Sequence, residues 1–391
     1  MTEIISHPGK SLIKHLKEVA KFCALTIANK QFAIAIDTSI LSDLGFIQGA
    51  VHEIGKATQN FQTYIRSRGK EVIQTKYHAL ISAYLAKQIA AKYLETTKLS
   101  EFDKSLLPYF IFTSVKRHHG NVLNFDDELE TVRKKEEDLI ILIDNFYDAE
   151  VQIILNELLV EINIQYDWED FKSYMHSLED VFLEFDEFSM IKFPDDFEEL
   201  PNLKKAEYFY LHQLFFSALL FSDKTDVKLD NNKIERNSNF NSGAIENFRS
   251  IKNFNNPSEK INQLKSQAYF EGLESLRQTF NPNQHLYSIT LPTGLGKTIT
   301  SLAIAMKMKK ILTEQNPRII ITIPFTSIID QNYDVFNEIF NSPNSDILLK
   351  HHHLTEPRYK IDEDTVKDDD VEKGQFLIET WQSEIVVTTF V

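Results

Sequence analysis

The order of apolar and polar positions changes its period partway along the chain. Between residues 11 and 29, Leu12, Leu16, Val19 and Cys23 recur every three or four positions, which is one face of an α-helix. The same spacing predicts a helical region over 43–66, led by Leu44, Ile47 and Val51 and continued by Phe61, Tyr64 and Ile65. A third helix is expected over 76–94 through Leu80, Tyr84, Leu85 and Ile89. A fourth runs from Leu106 to Val115 and stops at Lys116-Arg117-His118-His119-Gly120, where a glycine suits a helix end. Helical periods continue through the acid-rich stretch 124–200 at Leu139, Leu142 and Phe146, and a strongly apolar helix follows from Tyr208 to Phe221.

From about Val227 to Pro257 long apolar runs disappear and Asn, Ser, Asp and Lys dominate, as in a linker or surface excursion. Beyond it the pattern alternates. Short strands are expected at His285–Leu291, Arg318–Pro324, Asp346–Lys350 and Glu384–Phe390, with helices at Thr298–Leu312 and Ser327–Phe340 between them. Strands alternating with helices predict a parallel sheet. The expected organisation is multidomain: an all-α domain at 1–225, a linker at 226–260, and an α/β lobe at 261–391.

Composition narrows the classes. The chain has 391 residues, ample for more than one core. Its one cysteine, Cys23, excludes a disulfide framework and a thiolate zinc site. No run of about 18 apolar residues predicts a membrane span, and Met1–Lys10 lacks an apolar signal core, so a cytoplasmic protein is expected. A net charge of −15 opposes nonspecific binding to nucleic acid unless the basic groups gather in a groove or metal does the binding. The acid clusters Asp126-Asp127, Glu136-Glu137-Asp138 and Asp195-Asp196 and the acidic loop 361–373 read as solvated faces, and His351-His352-His353 reads as a loop after a strand.

Two constellations carry chemistry. The first is Leu291-Pro292-Thr293-Gly294-Leu295-Gly296-Lys297-Thr298, between an expected strand and an expected helix. In the loop Pro292 to Thr298 the backbone N–H groups from Thr293 onward, with the helix N-terminus, can cradle phosphates; Lys297 can reach the β and γ phosphates, and the Thr298 hydroxyl can hold Mg²⁺. The loop has Leu291 where the strict pattern has its first glycine, and its Pro-Thr-Gly-x-Gly-Lys-Thr form resembles that of superfamily 2 helicases. It implies an incomplete RecA-like lobe that binds ATP with Mg²⁺. No acidic Walker B segment follows it, so weak hydrolysis is expected of the chain as it stands.

The second constellation is scattered. His15, His52, Glu53, His78, His118, His119 and Asp223 fall within or at the ends of expected helices. Taken singly, each reads as a packed core histidine, a helix-end cation or a turn residue. Together they form an N/O donor set for Mn²⁺, Mg²⁺, Fe²⁺, Co²⁺ or Ni²⁺, and two ions about 4 Å apart could activate water for phosphodiester hydrolysis. A carboxylate such as Glu53 can bridge two ions, and Lys56, four residues after His52 on the same expected helix, could hold a phosphate oxygen.

The order of these residues resembles the HD nuclease domain of the CRISPR-associated nuclease–helicases of type I systems: a helical histidine, a His-acid-x-Gly-Lys stretch followed by Phe61-Gln62, a later histidine, a His-His pair, and an aspartate after an apolar helix. Ile323 to Asn332 and Trp381 to Thr389 look like further helicase motifs of the same family. The resemblance implies an all-α HD domain fused to a RecA-like lobe and a metal-dependent endo- and exonuclease acting on single-stranded DNA. It implies recruitment by an RNA-guided surveillance complex, coupled in a full-length protein to ATP-dependent 3′–5′ unwinding. It implies that His15, His52, Glu53, His78, His118, His119 and Asp223 are the metal ligands and that Lys56 contacts the scissile phosphate. The family has aspartate where this chain has Glu53, whose longer side chain either bridges two ions with a shifted backbone or weakens one position. Two other readings compete: an HD phosphohydrolase acting on nucleotides, and a non-catalytic fragment that binds nucleic acid or a protein complex.

Overall fold

The stripe of Leu12, Leu16, Val19, Cys23 and Ile27 is fully buried and folds as helix α1, Leu12–Ala28. The computed structural model describes residues 3–30, 34–67, 78–123, 127–128, 136–177, 181–183, 197–229, 243–254, 256, 258–312, 316–352, 376–378 and 380–389. Asp126, Asp195, Asp196, His353 and the acidic loop 361–373 lie outside them. The described residues fall into two units, 1–231 and 232–391.

The first unit opens with a small antiparallel hairpin, β1 (Ile5–His7) and β2 (Lys10–Ser11), leading directly into α1. Helix α2, Thr38–Val51, starts at Asp37, whose carboxylate accepts the Ser39 N–H at 2.9 Å and so satisfies an otherwise orphaned donor. A 3-10 turn, Ile54–Ala57, then leads to α3, Gln59–Arg66, capped by Thr58. Helices α4 (His78–Glu95) and α5 (Glu101–Arg117) follow; Ser100 caps α5, and Glu101 and Asp103 place negative charge at its positive end. Helices α6 (Glu136–Ile143), α7 (Asp148–Leu159) and α8 (Trp168–His176) occupy the acid-rich stretch. The long α9, Asn202–Leu229, returns to pack on α1, α2 and α5 around one core.

Two expectations change here. The region over 43–66 is not one helix. The Gly55 N–H is taken at 2.9 Å by Ser82 Oγ of α4, and the Lys56 N–H turns back to the Glu53 carbonyl at 2.9 Å, so the ladder of α2 ends and His52-Glu53 sits on a turn. The stretch 226–260 is not simply a linker. Helix α9 runs on to Leu229, and helix α10 (Ala244–Ile251) buries Ala244, Ile245 and Phe248 in the core of the second unit.

That second unit adds α11 (Lys260–Thr279), α12 (Lys297–Ile311), β3 (Ile319–Thr322), α13 (Thr326–Ile339), β4 (Leu348–His351) and β5 (Ile385–Thr388). The strands form a parallel sheet in the order β3-β5-β4, with every residue of central β5 buried. The expected strand at 285–291 pairs with none of the described strands, and Leu286 there is largely exposed. Its apolar alternation announces extended chain, but a strand also needs a ladder partner, which no local pattern encodes. The fold is thus mainly helical, with a small parallel sheet in the second unit. Among the described residues no helix is long and apolar enough to cross a membrane.

The first unit holds a half-buried histidine that should limit acid stability. His212 on α9 pairs through Nε2 with Thr113 Oγ at 2.7 Å, and burial pushes its pKa down to about 4. Below about pH 6.5 the unfolded chain binds a proton there that the folded chain refuses, so stability should fall from about pH 6.5 towards pH 4. The contribution is about 3 kcal/mol. His212→Gln should lose less stability than the parent over that window in urea unfolding at stepped pH; equal losses would contradict it.

Candidate metal centre and nucleotide loop

Each residue of the scattered set is delivered by the end or a turn of a different element. His15 lies in the first turn of α1, His52 is the residue that ends α2, Glu53 follows it on the turn, and His78 is the first residue of α4. His118 ends α5 with His119 beside it, and Asp223 lies within α9. The fold gathers all seven. One donor atom from each of His15, His52, Glu53 and Asp223 lies within 4.8 Å of the others, and the same holds for Glu53, His78, His118 and His119. Glu53 belongs to both groups.

Spacing and chemistry both suit divalent cations. His15 Nε2 stands 3.1 Å from Glu53 Oε2 and 3.4 Å from Asp223 Oδ1, and His52 Nε2 stands 3.5 Å from that same Oδ1. In the other group His78 Nε2 and His119 Nε2 are 3.1 Å apart, with His119 Nε2 3.9 Å from Glu53 Oε1. Ligands about 2.1 Å from one ion lie about 3–3.5 Å from each other. The far nitrogens are already committed: His52 Nδ1 faces the Gly49 carbonyl at 2.8 Å and His118 Nδ1 the Val115 carbonyl at 2.6 Å. Only an N–H can satisfy a carbonyl, so Nδ1 carries the proton and each buried Nε2 presents a lone pair that makes no hydrogen bond. A bare imidazole lone pair in a buried site is the donor that a cation requires.

The charges agree. Burial, reinforced by neighbouring His52 and His119, holds the His118 pKa well below the usual histidine value, so it stays neutral. Burial lowers His119 as well. Glu53 is fully buried, which alone would favour its protonated form, but His15, Lys56 and His52 outweigh burial and hold its carboxyl far below the usual range. Burial alone would favour protonated Asp223, but the His52 ring, whenever it takes up a second proton, holds that carboxyl well below the usual range. Burial alone would lower His15, yet hydrogen bonds to Asp226 and Glu53 raise it to about 9.

Lys56 is not where a regular helix would put it. Its Nζ is buried, ion-paired with Glu53, and 3.3 Å from the Ser6 carbonyl of β1. Two neighbours, His7 and Asp226, escaped the sequence reading, and a third, Gln62, entered it only as part of a motif. His7 of β1 packs edge-on against His15, with ring centres 5.4 Å apart, and burial together with Lys56 depresses its pKa to about 4. Gln62 fastens β1 to the site: its Nε2 donates to the Ile5 carbonyl at 2.8 Å and its Oε1 accepts the Ile5 N–H at 3.1 Å. Asp226 is buried one turn beyond Asp223 and receives His15 Nδ1. A signal for it existed, because the buried face of α9 runs through Leu211, Phe215 and Leu219 to Ser222, Asp223 and Asp226 at unbroken helical spacing.

In the second unit, Pro292–Thr298 forms an exposed turn into α12. Gly294 and Gly296 have φ of +87° and +79°, a region L side chains rarely adopt, and a Cβ at either would meet nothing within 4 Å. Both glycines are therefore required by backbone conformation and not by crowding. Gly296 caps α12, so Lys297 and Thr298 begin the helix and their N–H groups belong to its positive end.

Residues 244–390 match the family model described as "Type III restriction enzyme, res subunit". The CRISPR-associated nuclease/helicase Cas3 of Haloferax volcanii is 38% identical over 114 residues, which is 27% of this chain and 12% of that protein. Among solved structures, the chain is similar to the CRISPR-associated Cas3 HD domain protein from Methanocaldococcus jannaschii (16% identity, 56% of this chain and 100% of that one, TM-score 0.33). It is also similar to T. fusca Cas3 (16% identity, 97% of this chain and 41% of that one, TM-score 0.42). The class is a helical unit followed by part of a helicase-type lobe. Within that class the chain is Cas3-like. It spans only a small part of the length of the curated relative it matches.

Proposed function

We propose that this chain is the nuclease-bearing and ATP-binding portion of a CRISPR-associated nuclease–helicase, and that its first unit cuts single-stranded DNA. The observation that carries this reading is one buried carboxylate, Glu53, common to two four-residue donor groups. His15, His52, Glu53 and Asp223 would hold one divalent cation, and Glu53, His78, His118 and His119 the second. Two such ions would supply activation of water and neutralisation of the scissile phosphate. The protein's own part is to keep the ring nitrogens bare and the carboxylates ionised, and to hold Glu53 in place through Lys56. The half-exposed His119 is the open side from which a strand would enter. In the full-length protein, this cutting would be coupled to ATP-driven 3′–5′ unwinding and to recruitment by an RNA-guided surveillance complex in the cytoplasm.

The test is cleavage of circular single-stranded DNA across Mn²⁺, Mg²⁺, Co²⁺, Ni²⁺ and Fe²⁺, with and without EDTA. Nicking followed by degradation, abolished by the chelator, is expected. Cleavage surviving EDTA would overturn the reading, and hydrolysis of free nucleotides alone would replace it with a nucleotide phosphohydrolase. For the second unit, Lys297→Ala should weaken binding of a fluorescent ATP analogue about ten- to a hundredfold, as loss of a charge-assisted contact predicts. Unchanged affinity would remove the loop from the nucleotide site.

A further inference from the structure

The three innermost histidines face one need with different means. Each must have its Nδ1–H accepted so that Nε2 points inward. His52 and His118 terminate helices, where the last carbonyls lack intrahelical partners, and they use those of Gly49 and Val115. His15 stands at the other kind of helix end. In the first turn of α1 the free groups are N–H donors, not carbonyls, so no backbone acceptor is at hand. A side chain takes that role: Asp226 Oδ2 receives His15 Nδ1, both groups being buried. Lys10 of β2 holds Asp226 in turn, with Nζ 2.7 Å from Oδ2 and 2.7 Å from the Asp226 backbone carbonyl.

We propose that Asp226, anchored by Lys10, is a positioning residue that orients His15 and sets the affinity of one of the two cation positions, that of His15, His52, Glu53 and Asp223. The inference rests on the metal-centre reading above. Successive turns of α9 address the two nitrogens of a single ring: Asp223 faces Nε2 and Asp226 faces Nδ1. A carboxylate behind a ligating histidine fixes the ring's tautomer and orientation and strengthens its donor nitrogen, and loss of such a partner typically costs 10- to 100-fold in metal affinity. The other group, Glu53, His78, His118 and His119, contains neither His15 nor any residue that Asp226 contacts among the described residues.

The experiment is stepwise titration of the full chain with Mn²⁺ and with Co²⁺ by calorimetry, beside the imidazole ¹⁵N spectrum of the metal-free protein recorded above about pH 9, where the His15 ring has given up its second proton. The parent should bind two ions. Asp226→Ala should weaken one step about 10- to 100-fold and leave the other within about twofold, and His15 should lose its single Nδ1–H signature. Asp226→Asn keeps an oxygen to accept that proton, so it should retain the signature and lose only part of the affinity. Both steps unchanged in Asp226→Ala would overturn the inference, as would both steps weakening together with loss of cooperative thermal unfolding, the mark of a merely structural residue. Should Asp226→Ala fail to fold, Asp226→Asn decides: an unchanged affinity at both steps overturns it. A parent that binds no metal would instead sink the metal-centre reading itself.

Discussion

Glu53→Gln should reduce bound divalent metal from two ions per chain to one at most and cut single-stranded DNA cleavage on the order of a thousandfold, comparable to loss of a principal charge-stabilising group. The amide matches the carboxylate in shape, so packing is kept, but it offers one neutral oxygen where both donor groups need a charged one. The substitution also strands Lys56, whose buried ammonium pairs with Glu53, and breaking one side of a buried pair costs about 3–5 kcal/mol. Stability and chemistry can be separated. Adding Lys56→Met to Glu53→Gln removes the stranded charge and should restore much of the denaturation midpoint without restoring metal or cleavage. Two ions bound with parental cleavage in the single variant would refute the shared-carboxylate arrangement.

Gly55→Ala should cost about 3 kcal/mol and disturb the second donor group, although it adds one methyl group. A Cβ at residue 55 would lie 2.4 Å from the His78 carbonyl oxygen and 2.7 Å from its Cα. These are backbone atoms, so relief requires the start of α4 to move, and His78 moves with it. The Gly55 N–H to Ser82 Oγ bond would be lost in the same displacement. Urea unfolding should show a lower midpoint with an unchanged slope, and titration should show one weakened metal step. A parental midpoint would mean that α4 yields more easily than its close approach implies. Gly294 makes the contrast: its Cβ would meet open space, and the cost there comes from φ.

Much of the site was legible because its parts obey local rules. Helices with one apolar stripe announce themselves, and so do the acid beside His52, the His118-His119 pair at a helix stop, and the glycines entering α12. Other readings failed where a distant group intervened. The turn at His52-Glu53 exists because Ser82, 27 residues from Gly55, takes the N–H that would have extended α2. Asp223 read as a helix-end acid because apolarity ends at Phe221, yet the helix and its buried face continue through Asp226 as polar residues. The stretch 226–260 read as linker because the eight residues of α10 are too few for a clear period against polar surroundings.

The sequence by itself determined most of the helices, their order, the break between a helical and an alternating half, and the kinds of donor atom available, since all of these follow from side-chain chemistry and periods of a few residues. Only the tertiary structure decided which donors meet, which nitrogen of the His52 and His118 rings is free, and that Lys56 faces Glu53. Those depend on backbone carbonyls and side chains far apart in sequence, 211 positions in the case of His15 and Asp226, and the path of the chain through space brings them within a hydrogen bond.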